Sequence, residues 1–101
     1  MKVEQSSVTK LFITKSKVLD PITVFLEDFE EGKGAITIVC YGQAWNAYWG
    51  AMGGRTIVEF VCAFDEDYIA NRLGASRRDE AYVLKIVRAV KEALSQEQVA
   101  A

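Results

Sequence analysis

Side-chain catalysis usually draws on a group that titrates near neutrality, and this chain has no histidine. Its two cysteines, Cys40 and Cys62, form no CxxC pair, and no neighbouring motif marks either as an activated nucleophile. A zinc site of two cysteines and two histidines is therefore impossible, and a four-cysteine site cannot be assembled within one chain. Both thiols are expected as small buried hydrophobes in a reducing compartment. The acidic runs Asp28/Glu30/Glu31 and Asp65/Glu66/Asp67 offer oxygen ligands of the kind a hard cation takes. The first lacks calcium-loop spacing, and the second reads better as a helix cap with carboxylates set against the macrodipole. Gly50-Ala51-Met52-Gly53-Gly54 lacks the lysine and hydroxyl residue of a phosphate loop. No catalytic residue, metal ligand or cofactor is expected, and the chain reads as a non-enzyme.

Recognition chemistry is better represented. Tyr41 to Arg55 holds both tryptophans, two of the four tyrosines and four of the seven glycines. Trp45, Tyr48, Trp49 and Met52 recur at helical spacing, which predicts one helix face over Gln43–Met52, closed by Gly53-Gly54. Gly50 inside that helix costs about 1 kcal/mol relative to alanine, so close backbone approach or a helix of two turns is implied. An aromatic stripe of this kind packs first against a sheet. The same residue types supply protein–protein hot spots and stack on bases. Tyr41, Trp45, Tyr48, Trp49 and Arg55 are the candidate binding residues. Arg77 and Arg78 join them, because two cations in the first turn of a helix oppose its dipole unless an acidic neighbour or an anionic partner answers them. Arg72 is a further cation available to phosphates.

The elements that must position these residues follow from the rest of the chain. Its 101 residues suit one domain, 1–101, with about 1–7 and 96–101 expected to be loose. Half the residues are hydrophobic and 26% are charged, an ordinary globular balance. The net charge of −2 argues against a simple electrostatic grip on duplex DNA. No apolar run is long enough to cross a membrane, and the polar start Met-Lys-Val-Glu-Gln-Ser-Ser does not read as a signal peptide, so a cytoplasmic setting is expected.

Val8–Lys15 reads as a strand whose contiguous Leu11-Phe12-Ile13 suggests cover on both faces. Asp20-Pro21 breaks the chain. Ile22–Asp28 alternates, with Ile22, Val24 and Leu26 on one face and Thr23, Phe25 and Glu27 on the other. Ala35–Tyr41 does the same, placing Thr37, Val39 and Tyr41 on the second face. That face is apolar enough to need a cover, for which a second copy of the chain is one candidate. Thr56 and Glu59 match a capping box for a helix through Ala63, although its β-branched content leaves a strand as the competing reading. Asp65 caps a helix to Leu73, and Gly74 stops it. Ser76 opens a last, long amphipathic helix with the stripe Val83, Ile86, Val87, Val90, Ala93 and Leu94. The fold class is α+β: a three-stranded antiparallel sheet followed by three to four helices.

Leu19-Asp20-Pro21-Ile22-Thr23-Val24, Ile36-Thr37-Ile38, Tyr41-Gly42-Gln43-Ala44-Trp45, Ala47–Gly53 and Asp65-Glu66-Asp67-Tyr68 resemble a family of small uncharacterised proteins of tailed phages and prophages of enteric bacteria. The resemblance covers about residues 18–74 and carries no catalytic residue. It implies an accessory product acting in the bacterial cytoplasm on a host or defence protein. The leading expectation is thus a non-enzymatic protein-binding module, with a homodimer as a further partner state. The alternative is a binder of single-stranded nucleic acid or a nucleotide through aromatic stacking. A structural component of the virion is a third reading.

Overall fold

The computed structural model describes residues 1–100, with side chains through Gln96. Four strands form one antiparallel meander in the order β1 (Thr9–Ile13), β2 (Ile22–Glu30), β3 (Lys33–Cys40) and β4 (Gln43–Trp49). Helices α1 (Ile57–Ala63) and α2 (Glu66–Arg72), a 3-10 turn at Arg77–Asp79 and the long α3 (Glu80–Ala100) follow. The α+β class stands, and the sheet has four strands where three were expected.

The fourth strand replaces the helix expected over Gln43–Met52. Tyr41 and Gly42 both take positive φ, 51° and 75°, as a two-residue hairpin turn with the right-handed sheet twist requires. The chain therefore turns back at Gly42 and pairs with β3, Cys40 opposite Gln43 and Gly34 opposite Trp49. Trp45, Ala47 and Trp49 then share the inner face at period two. Trp45 and Trp49 satisfy both a strand and a helix period. Tyr48 belongs to the other face, and Met52 lies beyond the strand.

The inner face of the sheet carries Ile22, Val24, Leu26, Ile36, Ile38, Cys40, Trp45, Ala47 and Trp49, all buried. Against it pack Ile57, Phe60 and Val61 of α1, Ile69 of α2, and Val83, Ile86, Val87, Val90 and Leu94 of α3. Each such aliphatic or aromatic side chain contributes about 1.5–3 kcal/mol when fully buried. The α3 stripe matches its expected members except that Ala93 is half-buried and Ala89 takes a core place. β1 is covered on one face only: Leu11 and Ile13 lean on the core, while Phe12 is 66% exposed. Residues 1–7 are exposed and outside any element. Helix α3 runs through Ala100, and residue 101 lies outside the described residues.

Helix α1 shows how short β-branched sequence becomes helical. Thr56 Oγ1 accepts from Glu59 N at 3.2 Å, and Glu59 Oε1 accepts from Thr56 N at 2.9 Å. Asp28 Oδ1, projecting from β2, accepts a third N–H, that of Ile57, at 2.7 Å. At the other end Lys91 Nζ of α3 donates to the carbonyls of Val61, Cys62 and Phe64. The carboxylate at the N-terminus and the ammonium at the C-terminus both complement the macrodipole. These contacts outweigh the weak intrinsic helix propensity of Ile-Val-Glu-Phe-Val. Asp65 caps α2 through Asp67 N at 3.1 Å, as expected.

The loop from β4 to α1 crosses the β2–β3 turn. Met52 N donates to Gly32 O at 2.8 Å, and Gly32 adopts φ 77°. A Cβ on Gly34 would stand 2.9 Å from Met52 Cε and 3.0 Å from Ile57 Cβ, so only glycine lets the α1 approach close on the sheet.

Candidate functional site: the open face of the sheet

The helices cover one side of the sheet and leave the other to solvent. Three cross-strand rows cross this open side: Phe12-Thr23-Val39-Ala44, Lys10-Phe25-Thr37-Asn46 and Glu27-Ala35-Tyr48. Phe29 extends the last row, its ring centroid 5.8 Å from that of Tyr48. Lys10 Nζ lies 5.8 Å from the Phe25 ring centroid. Tyr48 is 51% exposed and Phe29 52%. The three rows carry one cation, Lys10, and one carboxylate, Glu27, so the surface is close to neutral, with the apolar and aromatic Phe12, Phe25, Val39 and Tyr48 set among threonine, asparagine and alanine. Strand spacing of about 4.8 Å and a length near seven residues give a flat face of roughly 400–500 Å².

Tyr41 stands at the β3–β4 turn, 79% exposed, with φ 51°. A bulky residue with left-handed backbone costs about 1 kcal/mol, and asparagine or glycine would suit the turn better.

The other expected binding residues separate from these two tyrosines. Trp45 and Trp49 sit on the inner face and are core. Trp49 Nε1 donates to Tyr68 Oη at 3.0 Å, and its ring packs on Phe60 at 5.1 Å between centroids. Trp45 meets Tyr82 edge-on at 6.4 Å. Arg55 is in the loop before α1, its guanidinium 5.7 Å from the Phe64 ring. Arg77 and Arg78 lie exposed in the 3-10 turn, and among the described residues neither makes a salt bridge. Arg72 spans the edge of β4: its guanidinium is 5.7 Å from the Trp49 ring and donates to Tyr48 O at 2.9 Å. That contact occupies a carbonyl which strand addition along β4 would otherwise use.

Phe12, Phe29 and Lys10 join the surface without having been singled out by the sequence. The signal for Lys10 and Phe12 was the alternation of β1, obscured by three contiguous apolar residues, and that for Phe29 was the continuation of the β2 alternation beyond Glu27.

The acidic runs have local partners. Asp28 holds Ile57 N, Asp65 holds Asp67 N, and Glu66 pairs with Arg88 at 2.7 Å. Among the described residues no three metal-ligating side chains converge. Cys40 is buried and Cys62 half-buried, both unpaired. Cys40 Sγ lies 3.2 Å from Tyr82 Oη, which donates to Asp20 Oδ2 at 3.0 Å. The Cys40 sulfur, then burial, then Asp20 push the Tyr82 phenol well above its ordinary pKa.

No helix is long and apolar enough to cross a membrane among the residues described. The model of a phage family, Phage_phiTE_072, matches residues 1–100 of the chain. No curated protein and no solved structure matches it.

Proposed function

The chain belongs to that phage protein family, and on this premise we propose that it is a non-enzymatic accessory protein that docks a host or defence protein in the bacterial cytoplasm. The observation that supports this reading is the open face of the sheet. Phe12, Phe25, Val39 and Tyr48 present apolar surface there, with Tyr41 at one end and Phe29 at the other. Its area matches the smaller, transient class of protein interfaces, and aromatic anchors with few charges are what such interfaces use at their centres. Arg72 on the β4 edge favours docking by the face over docking by strand addition.

The test is capture from host lysate on the immobilised chain, with sizing of the free protein alongside. A stoichiometric partner supports the reading. No partner together with a monomer in sizing removes it.

A second reading has one observation in its favour. Phe12, Phe25 and Tyr48 share one face of the sheet with Lys10, a combination of aromatic rings and a cation that base-stacking surfaces use. Glu27 on the same face and the absence of further cations in the three rows weigh against it. Binding of a labelled single-stranded oligonucleotide at about 50 mM salt, where phosphate contacts are strong, is required by this reading.

A further inference from the structure

Away from the open face, a cleft of about 670 Å³ lies between the end of β1 with its following loop and one side of α3. The α3 residues lining it, Lys85, Arg88, Ala89, Glu92, Ala93 and Gln96, recur every three or four positions and so form one stripe. Ala89 and Ala93 are small, which leaves space between helix and loop. Ile13 and the loop residues Thr14 to Lys17 close the opposite wall.

The charges are the unusual feature. Lys15, Lys17, Lys85 and Arg88 face Glu92, four cations against one carboxylate, in a chain whose net charge is −2. Only Arg88 has an ion-pair partner among the described residues, Glu66 at 2.7 Å. Lys85 and Arg88 stand at i and i+3, where like charges repel. The loop is held in place. Ser16 Oγ accepts from Val18 N at 3.1 Å, and Val18 is buried in the core. Lys15 keeps φ 60°, a left-handed conformation that costs a non-glycine residue about 1 kcal/mol. The loop and the helix thus bring three ammonium groups, none of them ion-paired among the described residues, to one space of ligand size.

We propose that this cleft binds a small phosphate-bearing molecule carrying at least two anionic groups. Lysine ammonium groups act as mobile point charges suited to phosphate oxygens. The one guanidinium that could grip a carboxylate in bidentate fashion is already engaged by Glu66. Thr14 and Gln96 add neutral hydrogen-bonding groups to the lining, while the Ser16 hydroxyl is engaged by Val18.

The experiment is an amide NMR titration of the full chain with sodium pyrophosphate at about 20 mM ionic strength, where surface charges are little screened. The expected result is saturable shifts confined to residues 13–17 and 85–96. The double variant Lys17→Gln, Lys85→Gln, altered only at exposed positions, should bind about tenfold more weakly or worse, while Lys33→Gln binds as wild type. Unsaturable shifts, shifts spread equally over Lys2, Lys10 and Lys33, or an unchanged affinity in the double variant would overturn the proposal. So would tighter binding of a polyglutamate peptide, or of a single-stranded oligonucleotide where pyrophosphate does not saturate.

Discussion

Trp49 donates its indole N–H to the Tyr68 hydroxyl at 3.0 Å, and this bond holds the last ring of β4 inside the core, not on a contact surface. Tyr68→Phe leaves the buried indole N–H without its partner. The expected cost is about 1–2 kcal/mol, read from urea unfolding. Acrylamide should quench Trp45 and Trp49 weakly in the native chain and strongly once it unfolds.

Lys91 links α3 to the C-terminal end of α1. Its ammonium meets three carbonyls at the end of α1, so Lys91→Met removes the donor and leaves those groups to compete for water. A loss of about 1.5–3 kcal/mol is expected from a charged donor in this setting. Lys91→Arg should recover part of it. Amide exchange ought to show α1 opening before the sheet does.

Gly34 sits where sheet and loop touch. Gly34→Ala places a Cβ within 3.0 Å of Met52 and Ile57, and overpacking of this kind costs about 1–3 kcal/mol. Gly54→Ala is the control, since a Cβ there meets nothing within 4 Å.

Tyr82 makes stability fall in alkali. Its folded pKa is raised, so the folded state holds the phenol proton more tightly than the unfolded chain. The contribution is fully present below about pH 10, the ordinary tyrosine value, and is lost as pH rises from there towards the folded value. Urea midpoints at about pH 9 and pH 11 should diverge more in the wild type than in Tyr82→Phe. Glu59 runs the other way. Its hydrogen bond from Thr56 N lowers its pKa, so the capping box contributes above the ordinary glutamate value and weakens as pH falls through the lowered one.

Much of this architecture is legible in the sequence because it is local. The capping box at Thr56 and Glu59, the Asp65 cap, the alternation of β2 and β3 and the α3 stripe each follow from residues a few positions apart. What misleads is degeneracy of period. Trp45 and Trp49 are four apart, a spacing that helix and strand share, and only the alternation of Ala44, Asn46 and Tyr48 with the inner residues separates the two. The turn at Tyr41-Gly42 hides because tyrosine is not a residue of left-handed backbone. The second face of β2 and β3 was visible as too apolar to be a wetted surface. Its extension by Phe12 and Tyr48 needed the register of β1 and β4, which depends on long-range pairing.

The claim that the open face is the contact surface is tested most directly by partner capture on a chain carrying Val39→Lys. This change places a charge on a central strand of that face, beside Phe12, Thr23 and Ala44, at a half-buried position away from the helices. We predict that the variant folds and captures its host partner at least about tenfold less than wild type, as loss of a hot-spot region requires. The Arg77→Ala, Arg78→Ala variant should capture normally. Full capture by Val39→Lys, with loss confined to the Arg77→Ala, Arg78→Ala variant, would contradict the account and move the contact surface to the helical layer.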